Sequence, residues 1–106
     1  MPTYKVLAQS APTAATATTL LTAGSATIVS TLNASNIGST QDTIRVAVRP
    51  AGATLANQHY IAYGVPLAAG AVFSIQGGIT LANTDVITVY STTGNTSFSA
   101  FGSEGN

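Results

Sequence analysis

Short runs of alternating hydrophobic and polar residues, separated by turn-forming residues, fill most of this chain. The clearest run places Ile44, Val46 and Val48 on one face of an extended strand. Arg45 and Arg49 lie on the opposite face, so we expect this strand to have one buried side and one side in contact with water. A period of two is typical of a half-buried β-strand and not of an amphipathic helix.

Similar runs, rich in Val, Ile, Thr, Phe and Tyr, recur along the chain between clusters of Gly, Pro, Asn and Asp. No segment has the hydrophobic period of a helix of any length. Seven or eight short strands at this spacing predict an all-β fold, an antiparallel β-sandwich of jelly-roll character. The candidate strand segments are residues 18–22, 26–34, 43–49, 58–65, 71–75, 79–81, 86–90 and 97–101, and residues 4–9 are either a further strand or an arm.

One strand segment and one glycine pair carry more specific expectations. Uninterrupted alternation in residues 26–34 puts Ile28 and Leu32 on one side of the strand and Val29 on the other. The glycine pair at 77–78 is expected to separate two strands through a turn, or to form a bulge.

The two ends of the chain are less regular than its middle. Residues 1–9 form either a first strand of the sandwich or an extended arm that pairs with the sheet edge of a neighbour. Tyr4 and Lys5 in this segment are therefore candidate interface residues. The other end is expected to be a glycine-rich tail that begins at Gly102.

The length and composition bound the architecture. A chain of 106 residues fits a single domain, residues 1–106, whose core is large enough to need no covalent staple. Hydrophobic residues make up 45% of the chain, whereas only 6% are charged. The absence of cysteine excludes a disulfide framework and any metal site built on thiolates. We expect the hydrophobic core alone to hold the domain together.

The balance of charge bears on possible partners. Three basic and three acidic side chains give a formal net charge of zero, so no basic field attracts a phosphate backbone. No run approaches the roughly 20 apolar residues that span a bilayer as a helix, and no targeting segment is recognisable. We therefore expect neither a nucleic-acid partner nor a membrane. A protein with a net charge near zero stays dispersed poorly at high concentration. We therefore expect that an assembly covers much of its surface.

Catalysis and metal binding need titratable side chains in groups, and this chain has few of them. His59, the single histidine, lies near Tyr60 and Tyr63, and is a structural or interface residue, a pH-responsive contact or a metal ligand. One histidine without thiolates does not complete a zinc site, and no Gly-x-Ser-x-Gly elbow is present. We predict a non-enzymatic protein without cofactor or metal, in which His59, Tyr60 and Tyr63 are candidate interface residues.

The two arginines on the exposed face of the central strand have two possible roles. Arg45 and Arg49 form bidentate pairs with carboxylates of a partner, a geometry that suits the planar guanidinium. Alternatively, they pair with Asp42 or Asp85 of the same chain, or are simply solvated. We include both arginines among the candidate interface residues.

Six segments, taken in order, give the chain a recognisable likeness. They are MPTYKVL at residues 1–7, RVAVRPAG at 45–52, PLAAG at 66–70, GITL at 78–81, LANTD at 81–85 and FGSE at 101–104. In this order they resemble a family of small structural proteins of tailed-phage virions, and the resemblance covers nearly the whole chain. It implies a β-sandwich subunit of the particle that has no catalytic residues.

The resemblance also implies a location and partners. It points to a cement or decoration protein on the outer surface of the capsid, made in the host cytoplasm and bound to the major capsid protein in the virion. Copies of the chain are further partners, and by analogy with other capsid cement proteins we expect trimers.

Two other functions are compatible with the sequence. A tail or baseplate adaptor, or a host-attachment component, uses the same kind of sandwich. A carbohydrate-binding module needs an exposed aromatic platform, for which Tyr60, Tyr63 and Tyr90 are the candidates.

Overall fold

Eight β-strands account for most of the chain, which the computed structural model describes over residues 3–105. The strands are β1 (Thr3–Ser10), β2 (Thr18–Thr22), β3 (Thr27–Asn36), β4 (Asp42–Arg49), β5 (Tyr60–Leu67), β6 (Val72–Leu81), β7 (Val86–Ser91) and β8 (Thr96–Glu104). Within the described range the only helical turns are two 3-10 segments, Pro50–Gly52 and Asn57–His59. Residues 1, 2 and 106 of the predicted domain lie outside this range.

The strands form two antiparallel four-stranded sheets, ordered β1-β8-β3-β6 and β2-β7-β4-β5. β1 pairs with β8, β2 with β7, β3 with β6 and β4 with β5, so the chain is one long hairpin whose two arms run side by side. Successive pairs of this hairpin alternate between the two sheets, which is the topology of a jelly roll. The predicted all-β jelly-roll sandwich and its number of strands are confirmed.

The inward faces of the two sheets meet in one hydrophobic core. In β4 the predicted alternation is confirmed from Ile44 to Val46, because these two are fully buried whereas Arg45 between them is partly exposed. Beyond Val46 the burial no longer alternates, since Ala47 is 1% exposed and Val48 is only partly buried. The largest fully buried apolar side chains are Phe98, Leu32, Ile44, Leu81, Ile87, Val29, Val46 and Val89. Burial of each side chain of this size contributes about 2 kcal/mol to folding.

The alternation expected in β3 is wrong at one point. Val29 and Leu32 are both buried and Ile28 is 41% exposed, so Ile28 and Leu32 lie on opposite faces. The cause is a β-bulge at Ser30, which inserts one extra residue into β3 relative to β8. One extra residue shifts the period-two pattern by one position, so the residues on either side of it exchange faces.

The glycine pair of β6 lies within one strand rather than between two. β6 runs unbroken over Val72–Leu81, and its register with β3 shifts next to the glycines. Gly78 has φ 91°, a left-handed conformation that glycine adopts without a steric penalty and that lets the strand bulge. The division of this segment into two strands is therefore wrong. The expected tail at Gly102 is also wrong, because β8 continues to Glu104.

The segment predicted to be a strand or an arm forms β1, which pairs with β8 of the same chain from Thr3 opposite Glu104 to Ser10 opposite Phe98. β1 is an edge strand, as are β6, β2 and β5. Each of these four strands contains a register shift, and β5 also contains Pro66. Bulges and proline make an edge a poor template for a further strand. The four edges are therefore poor sites for the addition of a further strand.

A buried hydrogen-bond network closes one end of the sandwich around Asp42, which is 1% exposed. Its carboxylate accepts hydrogen bonds from the hydroxyls of Ser91 and Thr96 and from the backbone N–H groups of Thr43 and Thr93. Burial raises the pKa of this carboxyl, but the four hydrogen bonds outweigh burial and lower the pKa to about 2. The charged carboxylate thereby joins β4 to β7 and β8.

Candidate functional site

Arg45 lies on the outer face of the second sheet, between aromatic neighbours on both sides. It is opposite Tyr63 of β5 and opposite Tyr90 of β7. Its guanidinium carbon is 4.5 Å from the ring centroid of Tyr63 and 4.3 Å from that of Tyr90. Both distances are typical of cation–π contacts, each of which stabilises by about 1 kcal/mol. We call these three residues, together with Tyr60, the aromatic cluster.

Tyr60 joins this cluster because of a bulge in β5. In the register of β5 with β4, Ile61 is left without an opposite residue. Tyr60 and Tyr63 consequently project from the same face of the sheet, although an unbroken strand would separate them. Their rings meet edge to face, with centroids 4.9 Å apart and planes at 84°. Tyr63 is still 62% exposed, so most of its ring surface is open to solvent.

A cleft of about 510 Å³ opens beside these rings and is lined by Asn57, Tyr60 and Tyr63. Asn57 belongs to the 3-10 turn that precedes β5, so a turn and a strand together form the walls. The cleft is more open than enclosed, so a ligand in it would remain partly in contact with solvent. The amide of Asn57 supplies both hydrogen-bond donors and an acceptor at an otherwise aromatic surface.

Neither arginine forms an ion pair within residues 3–105. Arg49 donates from Nε to Thr88 Oγ1 at 3.0 Å and from Nη1 to the carbonyl oxygen of Ala53 at 3.1 Å. Nε of Arg45 is buried and has no hydrogen-bond partner in the described part of the chain. The expected alternative in which an arginine pairs with an aspartate of the same chain is therefore not found there.

Asp85 holds two loops together instead of pairing with an arginine. Its Oδ1 accepts a hydrogen bond from the backbone N–H of Ala51, and its Oδ2 accepts one from the backbone N–H of Ala82. The hydrogen bond from Ala51 has the largest effect on the pKa of Asp85 and lowers it, and the bond from Ala82 lowers it further. Together they outweigh the opposing effect of burial. Asp85 thus ties the turn between β6 and β7 to the loop that follows β4.

His59 is buried, with 9% of its surface exposed, and ends the 3-10 turn Asn57–His59. Its Nδ1 accepts a hydrogen bond from the backbone N–H of Ala56 at 3.0 Å. This bond closes the turn and fixes the start of β5, which agrees with the structural role considered for His59. In the described range no three His, Cys, Asp or Glu side chains are grouped as metal ligands would be.

Tyr4 and Lys5, the remaining candidate interface residues, belong to the first sheet and not to the aromatic cluster. Tyr4 is 81% exposed on the outer face. Lys5 alternates to the other side, where Nζ lies 2.5 Å from Oε1 of Glu104. The candidate residues therefore fall into two groups on different sheets.

The outer face of the first sheet carries no charged side chain within residues 3–105, and we call it the uncharged face. Tyr4, Val6, Ile28 and Phe101 occupy two adjacent cross-strand rows of it and form an apolar patch. Val6 is 49% exposed and Ile28 is 41% exposed. Its other outward positions are Gln9, Thr31, Asn33, Ser35, Val72, Ser74, Gln76, Thr80, Ser97, Ser99 and Ser103.

Sequence reasoning identified part of the aromatic cluster. It predicted that Arg45 faces outward and named the three tyrosines as possible binding aromatics. It missed the stacking of Arg45 between Tyr63 and Tyr90, because that contact depends on the register of three strands. It also missed Asn57, which carries no distinguishing signal in the sequence.

The fold defines the class of this chain as a jelly-roll β-sandwich. Comparison with protein-family models, with curated proteins and with solved structures finds no match to the chain. The likeness to virion proteins accordingly rests on the six sequence segments alone. Across the described residues, no helix has the length and apolar character needed to cross a bilayer.

Proposed function

We propose that this chain is a non-enzymatic structural protein of a virus particle, a cement protein that lies on the outside of the capsid shell of a tailed phage. The fold supports this proposal, because eight-stranded jelly rolls are common among viral capsid proteins. The six segments that resemble virion proteins support it from the sequence. The proposed partners are the major capsid protein and further copies of this chain.

The observation that carries the proposal is the uncharged face. Tyr4, Val6 and Ile28 expose 81%, 49% and 41% of their surfaces there, among hydroxyl and amide side chains. A neighbour that covers this face desolvates no ion, and it gains about 25 cal/mol for each Å² of apolar surface removed from water. Serine, threonine and asparagine on the same face offer hydrogen bonds to the partner, as is usual in interfaces.

The irregular edge strands support attachment through a face. All four edge strands contain register shifts, so the addition of a neighbour's strand is disfavoured at every edge. We propose that three copies assemble around a symmetry axis on the shell, since closed symmetric assembly is the common form of self-association. Contacts repeated over a lattice then reinforce one another through avidity.

Particles that lack this chain test the proposal. A ligand that binds only the assembled shell stabilises it by mass action, so particles produced without the chain should release their genome at a lower temperature. Adding the purified protein back should restore the original release temperature. Release temperature is measured by the fluorescence of a DNA-binding dye during heating.

Two results would contradict the cement function. Particles without the chain would release their genome at the same temperature as complete particles. Alternatively, they would keep their heat resistance and fail to attach to host cells, which is the result expected of a tail or baseplate component.

A further inference from the structure

The aromatic cluster lies on the sheet opposite the uncharged face, so attachment to a shell through the uncharged face leaves it accessible. Its cleft of about 510 Å³ is lined by a pair of tyrosine rings and one amide side chain. Concave, mainly aromatic surfaces with a few polar groups are typical of small-molecule sites. This inference goes beyond the proposed function and does not depend on it.

The rings of the cleft are held in place before any ligand arrives. Arg45 contacts the ring of Tyr63, and Tyr90 contacts Arg45 from the other side. Tyr60 meets Tyr63 edge to face, which fixes two ring planes at 84° to each other. A site whose side chains are already ordered loses little conformational entropy on binding.

The charges around the cleft indicate a neutral ligand. Both aspartates of the chain use their carboxylates in structural hydrogen bonds, so neither is available to bind a cation there. The guanidinium of Arg45 is covered by rings on both sides, so it is not presented to an anion as a bidentate fork. A ligand for this cleft needs an apolar face for the rings and hydroxyl groups for the amide.

We propose that the cleft binds a neutral saccharide. Tyr63 stacks on the C–H face of a pyranose ring, Tyr60 forms the wall at right angles to it, and Asn57 exchanges hydrogen bonds with the sugar hydroxyls. Arg45 is a positioning residue that holds the ring of Tyr63 from behind. A virion protein with this site would bind glycans of a cell surface.

Titration of the ¹⁵N-labelled protein by NMR tests this assignment. The probes are glucose, galactose, mannose, N-acetylglucosamine and a linear trisaccharide of each. One or more of them should produce saturable shifts of the amide signals of residues 57–63, with dissociation constants of about 1 mM, because the site is open and has a single stacking platform.

Matched variants make the titration specific to the cleft. Tyr63→Ala should weaken binding by at least about tenfold, since it removes the platform. Asn57→Ala, in an exposed turn where folding is not at risk, should weaken binding by about threefold to tenfold through the loss of its hydrogen bonds. Tyr4→Ala removes the tyrosine of the other sheet and should leave the dissociation constant unchanged.

The proposal is overturned if no probe produces saturable shifts up to tens of millimolar, or if the variants Tyr63→Ala and Asn57→Ala bind as the wild type does. It is also overturned if Tyr63→Ala abolishes binding to particles while no saccharide binds, because the cleft is then a protein contact. All titrations use the isolated protein, so a failure of the cement function leaves their outcome unaffected.

Discussion

At Arg45, two aromatic rings rather than a carboxylate hold a positive charge on a sheet surface. The alternation of β4 was sufficient to predict that this side chain points away from the core. Its partners were not predictable, because Tyr63 and Tyr90 are distant in sequence and meet Arg45 only through strand pairing. Because the guanidinium contacts two rings, its contribution to stability is larger than that of an exposed charge.

We predict that Arg45→Ala lowers the free energy of unfolding by about 2 kcal/mol, from the loss of two cation–π contacts. Arg45→Lys should recover part of this loss, because it keeps the charge without the planar group. Urea denaturation followed by circular dichroism measures both. The control is Lys5→Ala, which breaks an exposed ion pair and should cost less than about 1 kcal/mol. Equal losses at Arg45 and Lys5 would contradict the stacking account.

Asp42 makes stability depend on acid pH. Its folded-state pKa of about 2 lies below the ordinary value of 3.8, so its ionised form favours the folded state. The resulting stabilisation, about 2 kcal/mol, is fully present above pH 4 to 5 and is lost as the pH falls through 3.8 towards 2. This network was not predictable from the sequence, since nothing there distinguishes the buried hydroxyls of Ser91 and Thr96 from the other hydroxyls of the chain.

We predict that Asp42→Asn lowers the free energy of unfolding at pH 7, and that its difference from the wild type shrinks by about 2 kcal/mol between pH 5 and pH 2. Urea denaturation at several pH values measures the difference. A difference that stays constant over this range would mean that the pKa of Asp42 is ordinary in the folded state.

At the scale of elements, the strand pattern was predictable and the bulges were not. β2 has the predicted bounds, and the turns around β4 and β7 lie where Pro, Gly, Asn and Asp cluster. A bulge adds a single residue to a strand and has no composition of its own, so sequence periodicity misplaced the faces of β3 on one side of Ser30. The continuation of β8 was missed because Gly102 reads as the start of a tail, although a close backbone approach requires glycine there.

We predict that Gly102→Ala destabilises the fold by more than about 2 kcal/mol. An added Cβ would lie 2.0 Å from the backbone oxygen of Ile28, beside the bulge of β3, so backbone would have to move. Gly24→Ala is the matched control, because nothing lies within 4 Å of its Cβ position, and it should change stability by less than about 0.5 kcal/mol. Thermal unfolding by circular dichroism measures both variants. A Gly102→Ala variant as stable as Gly24→Ala would contradict the close approach.

At the scale of the molecule, the two sheets present surfaces of different chemistry. The first sheet exposes the uncharged face, and the second exposes the aromatic cluster with its cleft. Composition predicted a neutral surface but not its separation into two faces, because that separation follows from the jelly-roll winding and from the bulges. The proposed roles follow this division, with shell contacts on one face and saccharide binding on the other.

We predict that Ile28→Asp leaves the isolated protein folded and abolishes its binding to particles that lack the chain. Ile28 is 41% exposed within the uncharged face, so a carboxylate there is solvated in the free protein and desolvated in the complex. Ile61→Asp is the control, since Ile61 is 48% exposed on β5 of the other sheet. Co-sedimentation with particles measures binding. Equal binding of the two variants would mean that the uncharged face does not contact the particle.

The amount of this chain on separated heads and tails is the most direct test of the cement function. Mass spectrometry against labelled peptides would give its ratio to the major capsid protein in each fraction. For a cement protein we predict a ratio on heads close to that of a lattice component, with little of the chain on tails. A few copies per particle, all of them on tails, would contradict the cement function and leave the jelly-roll sandwich unaffected.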